Sequence, residues 1–124
     1  MITPIADIPA NMVAFRASGA VTKDDFDNVV VPAVEALVKQ TGELNYLFWV
    51  DTPLHNFTTG AWWEDAMLGL KKISKWKRAA IITDSTGINT FTKLFSLLMP
   101  GEFRGFKPGE LDEAITWVAT GKNG

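Results

Sequence analysis

The fold of this chain is decided by the stretch Ala79-Ala80-Ile81-Ile82-Thr83-Asp84-Ser85-Thr86-Gly87. It opens with an uncharged apolar run, which is typical of a strand that is covered on both faces. The polar residues that follow are turn formers, and Ser85 or Thr86 can cap a helix by accepting a bond from a backbone N–H. The sequence therefore predicts a central strand whose carboxyl end, at Asp84, Ser85 and Thr86, turns into a helix.

The predicted helix at residues 88–99 carries apolar side chains on most sides, with Lys93 as its single charge. A helix of this kind is buried or covered by a partner. Two interpretations stay open: a core helix, or one wall of an apolar pocket or docking face. The helix is too short to span a membrane, because about twelve residues rise about 18 Å against a hydrocarbon core of about 30 Å.

The rest of the chain alternates strands with helices. We expect strands at 2–8, 12–18, 44–50, 79–82 and 102–106, and helices at 22–41, 59–75, 88–99 and 110–119. Thr22 is the expected cap of the first helix, and Pro32 is expected to kink it. This order predicts an α/β fold with a mixed, largely parallel five-stranded sheet, an N-terminal hairpin and about four helices. We expect residues 1–120 to form a single domain and 121–124 a tail.

Composition excludes several classes of function. The 124 residues are 47% hydrophobic with a net charge of -2, which predicts a packed globular protein without a basic surface for nucleic acid. The chain has no cysteine and 1 histidine, so we expect no disulfide, no metal site and no cofactor. We find no signal peptide and expect a cytoplasmic protein without a transmembrane segment, although contact with a membrane surface is left open.

Candidate sites for small ligands and for phosphorylation lie near two predicted helix starts. Aromatic and apolar side chains would line a cleft, and two hydroxyls near helix N-termini would hold its polar end. The candidate ligand-binding residues are Phe57, Thr59, Trp62, Trp63, Ser85, Phe91, Phe95, Leu98 and Met99. The candidate phosphorylation sites are Thr58, Thr59 and Ser85. We find no catalytic residues, because no set of nucleophile, base and oxyanion donors is recognisable.

Four stretches resemble the SpoIIAA-like family, whose members are small bacterial proteins related in fold to STAS domains and to CRAL-TRIO lipid-binding domains. They are Val13-Ala14-Phe15-Arg16-Ala17-Ser18-Gly19, Gly60-Ala61-Trp62-Trp63-Glu64-Asp65, Ala80-Ile81-Ile82-Thr83-Asp84 and Met99-Pro100-Gly101-Glu102-Phe103-Arg104-Gly105-Phe106. The last is the most specific, and together they extend over nearly the whole chain. The resemblance implies an α/β sandwich with a mixed sheet, and the fold relatives suggest ligand or lipid binding.

One short similarity to this family is misleading. Anti-sigma-factor antagonists carry an Asp-Ser-Ser-Gly-like turn whose serine is phosphorylated, and Asp84-Ser85-Thr86-Gly87 imitates it. By order of elements, the antagonists' turn follows the strand that ends here near Asp51, so its counterpart is Thr58-Thr59-Gly60. The literal match at Asp84-Ser85-Thr86-Gly87 therefore lies one strand-helix unit later than the antagonists' turn.

Two functions follow from these patterns. The first is a non-enzymatic module that binds a small apolar or amphipathic, lipid-like ligand in a cleft beside helix 88–99. The alternative is a STAS-type regulatory module that binds a protein partner and is regulated by phosphorylation. We also expect a homodimer, because 5 tryptophans and a nearly all-apolar helix are much for this chain to bury alone.

Overall fold

The computed structural model describes residues 1–52, 76–84 and 102–122, and the structural statements below concern these residues. They form one five-stranded sheet in the order β1-β2-β3-β4-β5. The strands are β1 (Ile2–Pro4), β2 (Val13–Ser18), β3 (Leu44–Asp51), β4 (Trp76–Ile82) and β5 (Glu102–Phe106). β1 pairs with β2 in the antiparallel direction, and the remaining neighbours are parallel. The mixed, largely parallel sheet with its N-terminal hairpin is therefore confirmed.

The middle strand, β3, is buried on both faces over most of its length. Its apolar residues run without alternation, as is typical of a strand inside a parallel sheet. Phe48 of β3 lies opposite Phe15 of β2 on one side and opposite Ile81 of β4 on the other. Because residues that are paired across strands share a face, these three side chains build one layer of the core.

The helical stretch between β2 and β3 covers one face of the sheet. It consists of α1 (Lys23–Asp25), a π-helical turn (Phe26–Val30) and α2 (Val31–Thr41). Phe26, Val30 and Val34 from this stretch belong to the same buried cluster as Phe15 and Phe48 of the sheet. The apolar positions at helical spacing thus point to the sheet, as the sequence predicts.

A capping box begins this stretch. The backbone N–H of Asp25 donates to Thr22 Oγ1 at 3.2 Å, and the backbone N–H of Thr22 donates to Asp25 Oδ2 at 3.1 Å. The Met1 ammonium group also lies 3.4 Å from Asp25 Oδ2. Burial acts to raise the pKa of Asp25, but the hydrogen bonds from Thr22 and the Met1 ammonium outweigh it, so the pKa lies below its ordinary value of 3.8. The predicted cap at Thr22 is confirmed.

The π-helical turn accounts for the way Pro32 fits inside a helix. Proline has no N–H to donate, and its ring would clash with the carbonyl of the residue four positions earlier, which is Asn28. The wider turn avoids that clash, and the Val31 N–H bonds to the Phe26 carbonyl, five residues back. The helix ends at Gly42, whose φ of 75° is the left-handed conformation that glycine adopts without strain.

The last helix, α3 (Leu111–Thr120), covers the opposite face. Its buried side chains Ala114, Trp117 and Val118 pack in one cluster with Leu47 of β3 and Ile82 of β4. The ring of Trp117 also lies 6.0 Å from the ring of Phe106, measured between centroids. The described residues therefore form three layers, with the sheet between two helical layers.

Three predictions need correction or restriction. We expected about four helices, but the described residues hold two helical stretches, 23–41 and 111–120, and the predicted helices at 59–75 and 88–99 lie outside the described residues. The strand predicted at 79–82 begins earlier, because Trp76, directly after the predicted helix at 59–75, is the first residue of β4 and is buried in the core. The first strand ends at Pro4 instead of Ile8, in keeping with proline's inability to donate to a ladder.

Candidate functional site

The carboxyl ends of the parallel strands meet at one edge of the sheet, where α/β proteins commonly bind ligands. β3 ends at Asp51, and β4 is followed by Thr83 and Asp84. Thr83 is buried, and its backbone N–H donates to the Phe106 carbonyl at 3.1 Å, which extends the pairing of β4 with β5. Thr52 Oγ1 donates to the Gly19 carbonyl at 2.8 Å, which joins the loops after β3 and β2. The polar groups of this edge thus already make structural bonds.

A cluster of Arg16, Trp49 and Asp51 lies close to this edge, with Arg16 and Asp51 exposed and Trp49 half-buried. Arg16 Nε donates to Asp51 Oδ2 at 2.9 Å, and Arg16 Nη2 bonds to the same oxygen. The guanidinium carbon Cζ lies 4.7 Å from the centroid of the Trp49 ring, within the range of a cation–π contact. The cluster therefore holds a cation, an anion and an aromatic ring at fixed positions on the surface. We call it the Arg16 cluster below.

The hydroxyl of Tyr46 is buried on the face covered by α2 and has no hydrogen-bond partner among the described residues. The Tyr46 ring centroid lies 5.5 Å from that of Trp76, 5.7 Å from that of Phe15 and 6.0 Å from that of Phe48. Burial raises the pKa of the Tyr46 hydroxyl well above its ordinary value of 10.0, because the phenolate would be desolvated. A buried polar group without a partner is rare in native proteins, so the Tyr46 hydroxyl is a candidate for a role beyond packing.

A second polar cluster, at the opposite edge of the sheet, is structural. Arg78 Nε donates to the Val118 carbonyl at 2.8 Å, and Asn11 Nδ2 donates to the Ala119 carbonyl at 2.9 Å. These donors satisfy carbonyl groups at the C-terminus of α3, where a positive charge is also favoured by the helix dipole. Asn45 Nδ2 in turn donates to the Asn11 carbonyl at 2.9 Å. This arrangement fixes the end of α3.

The site predicted from the sequence lies in the part of the chain that the structure does not describe. This holds for every candidate ligand-binding and phosphorylation residue: Phe57, Thr58, Thr59, Trp62, Trp63, Ser85, Phe91, Phe95, Leu98 and Met99. Of the turn predicted to end the central strand, Asp84 does follow β4, and the two residues after it lie in the same undescribed part. The pocket and phosphorylation sites therefore stay predictions.

Sequence reasoning missed both the Arg16 cluster and the orphan hydroxyl of Tyr46. Arg16 and Asp51 lie 35 positions apart, and the pairing of β2 with β3 is what brings them together. Tyr46 lies in an apolar run that predicts burial, and burying a hydroxyl without a hydrogen bond is costly. A polar hydroxyl at a position predicted to be buried could therefore have identified Tyr46 from the sequence.

Metal-binding clusters and membrane-spanning helices are absent from the described residues. Ranges 1–52, 76–84 and 102–122 hold no group of three or more histidine or acidic side chains arranged for a metal ion. Within the same part of the chain, none of the helices combines the length and apolar character needed to span a bilayer.

Comparison with known proteins agrees with this architecture. No curated protein matches the chain. A solved structure that is similar comes from Shewanella loihica PV-4, where it is described as an uncharacterised protein of the DUF3478 family with a SpoIIAA-like fold. The two share 29% sequence identity over 94% of this chain and 93% of the other, with a TM-score of 0.63. The SpoIIAA-like family model matches residues 12–119, and the chain therefore belongs to the SpoIIAA-like family.

Proposed function

We propose that this protein is a regulatory module that acts by binding a protein partner and catalyses no reaction itself. The observation that carries the proposal is the family match over residues 12–119, because STAS-related domains of this fold serve regulation.

The chemistry of the described residues agrees with a binding role. Perturbed pKa values often mark catalytic acids and bases. Among the described residues, the two groups with perturbed pKa values are Asp25, which belongs to a helix cap, and Tyr46, which is enclosed by aromatic rings. Neither group offers a proton to a substrate in solvent.

A phosphorylation switch is the finer part of the proposal. Thr58 and Thr59 follow β3, the strand that corresponds by order to the one before the antagonists' phosphorylated turn, whereas Ser85 follows β4. A phosphoryl group adds about 1.5–2 negative charges and three strong acceptor oxygens, which is enough to create or disrupt a protein contact. We therefore place Thr58 and Thr59 ahead of Ser85 as acceptors.

The test is the intact mass of the protein purified from its own cells under phosphatase inhibition. We expect a fraction heavier by one phosphoryl group, and we expect that fraction to vanish in the Thr58→Ala, Thr59→Ala double variant. Ser85→Ala is the matched control and should leave it unchanged. Loss of the heavier species in the Ser85 variant alone would move the switch to the later turn, and its absence from all samples would remove the switch.

A second candidate function is binding of a small, largely apolar ligand, and the orphan hydroxyl of Tyr46 is the observation that favours it. Ligand sites combine apolar walls with a few polar groups, and a buried donor surrounded by aromatic rings has that character. The cleft predicted beside helix 88–99 would take aromatic contact area from Phe57, Trp62, Phe91 and Phe95, which lie outside the described residues. Native mass spectrometry of the freshly purified protein tests this, since a retained ligand would appear as a discrete added mass that organic denaturation removes.

A further inference from the structure

The face of the sheet that carries α3 is only partly covered by the described residues. Strand alternation places Arg16 two residues beyond the buried Ala14, and Trp49 two residues beyond the buried Leu47, on this same face. Ala14 and Leu47 belong to the cluster that packs under α3. Towards the carboxyl ends of β2 and β3 the face becomes exposed, with the side chains of Arg16 and Asp51 47% and 41% accessible.

The Arg16 cluster has hydrogen-bonding capacity to spare. Both bonds from Arg16 end on Asp51 Oδ2, so Oδ1 and Arg16 Nη1 make no hydrogen bond within the described part of the chain. Trp49 is half-buried, and its ring lies next to the Arg16 guanidinium. Trp and Arg are residue types that are enriched at protein interfaces and often dominate their binding energy.

We propose that the Arg16 cluster is the contact surface of a symmetric homodimer. A two-fold interface must be self-complementary, because both copies contribute the same surface. If one residue of the first copy contacts a second residue of its partner, the same contact occurs again with the copies exchanged. The cluster meets this condition, since it presents a cation and an anion side by side. Arg16 of each copy pairs with Asp51 of the other, and the two Trp49 rings pack near the two-fold axis.

Charge balance favours a second copy over an acidic partner as the occupant. An acidic side chain from another protein that bound Arg16 would bring a second carboxylate next to Asp51, and the two like charges would repel each other. A second copy exchanges the internal pair for two pairs between copies, so no charge is left alone. The interaction is expected to be weak, with a dissociation constant between about 1 μM and 1 mM.

Sedimentation velocity of charge-reversed variants tests the proposal. Arg16→Glu gives a surface with two acids, and Asp51→Lys gives a surface with two bases. Each variant alone should dimerise at least about tenfold more weakly than the wild type, because like charges then face each other. An equimolar mixture of the two should dimerise again. Restoration on mixing cannot come from a pair within one chain, since neither variant contains an opposite-charge pair at these positions.

The chain offers matched controls at the opposite edge of the sheet. Lys77 and Glu43 form an exposed ion pair with Nζ and Oε2 3.2 Å apart, and their side chains are 45% and 50% accessible. Lys77→Glu and Glu43→Lys change the net charge by the same amounts as the two test variants. Both controls should dimerise like the wild type, and far-UV circular dichroism verifies that all four variants are folded.

Three outcomes would overturn the proposal. The first is a wild-type protein that stays monomeric at about 1 mM, the upper end of the expected range. The second is undiminished dimerisation of Arg16→Glu and Asp51→Lys, which would place the interface elsewhere. The third is a mixture of these variants that stays monomeric while the wild type dimerises. None of these outcomes bears on the proposed phosphorylation switch, which is tested by the intact mass.

Discussion

Replacing Tyr46 by phenylalanine should stabilise the protein. The substitution removes one oxygen atom and keeps the ring that packs against Trp76, Phe15 and Phe48. The hydroxyl is buried without a partner among the described residues, and such a group costs about 1–3 kcal/mol because it has lost its bonds to water. We therefore expect the free energy of unfolding to rise by about 1–3 kcal/mol. Each kcal/mol should raise the melting temperature by about 4 °C.

Urea unfolding followed by far-UV circular dichroism measures this change. The midpoint should rise with the slope of free energy against urea unchanged, since the surface exposed on unfolding is nearly the same. Tyr46→Leu is the control: it also removes the hydroxyl but loses the ring contacts, so it should lower the free energy of unfolding. If Tyr46→Phe destabilises the protein by about 1 kcal/mol or more, the hydroxyl has a bonding partner in solution and our account of it is wrong.

Three further predictions concern parts of the molecule whose contacts are defined. Thr22→Ala should lower the free energy of unfolding, measured by urea titration, by about 1 kcal/mol, because it removes one half of the capping box. Thr22→Ser keeps the hydroxyl and should retain most of the wild-type stability in the same titration. Arg78→Met should lower the free energy of unfolding by about 1–3 kcal/mol, because the Val118 carbonyl loses a charged hydrogen-bond donor. Hydrogen exchange should then show weaker amide protection in the last turn of α3, and unchanged protection would contradict this role of Arg78. The chain has 1 tyrosine, and its phenolate absorbance should not appear while the protein is folded near pH 10. The contribution of Tyr46 to the free energy of unfolding should be fully present below pH 10.0 and should be lost as the pH rises above it. The reason is that the tyrosine ionises in the unfolded chain at that pH, whereas in the folded protein it stays neutral.

The parts of the fold that the sequence predicted are those in which local pattern and burial agree. β3 is an apolar run interrupted only by Asn45 before it ends at Asp51, and the structure places it in the middle of the sheet. Thr22 and Asp25 have the spacing of a capping box, which depends on residues three positions apart and needs no tertiary information. Such features are fixed within a few residues, and they therefore survive in the folded chain.

The errors arise where a tertiary choice overrides a local pattern. Trp76 could either extend the apolar stripe of the preceding helix or begin the next strand. Periodicity cannot separate these two alternatives for a residue at the boundary between elements. In the structure Trp76 packs edge to face against Tyr46, a contact between two strands that no local pattern contains. The Arg16 cluster depends in the same way on strand register, which places Arg16 opposite Trp49.

The strand order also changes where binding is to be expected. Ligand crevices in open α/β sheets form where the strand order reverses, because the flanking helices then diverge to opposite faces. In the described sheet the order runs from β1 to β5 without a reversal, so this rule does not create a crevice at the carboxyl edge. The two faces of the sheet differ instead in what covers them. The face under α2 has an aromatic core that contains the Tyr46 hydroxyl without a hydrogen-bond partner among the described residues. The face under α3 ends in the Arg16 cluster, where Arg16 and Asp51 are exposed. A small ligand that binds beside Tyr46 should therefore alter the effect of Tyr46→Phe, whereas a dimer contact at the proposed Arg16 cluster should leave that effect unchanged.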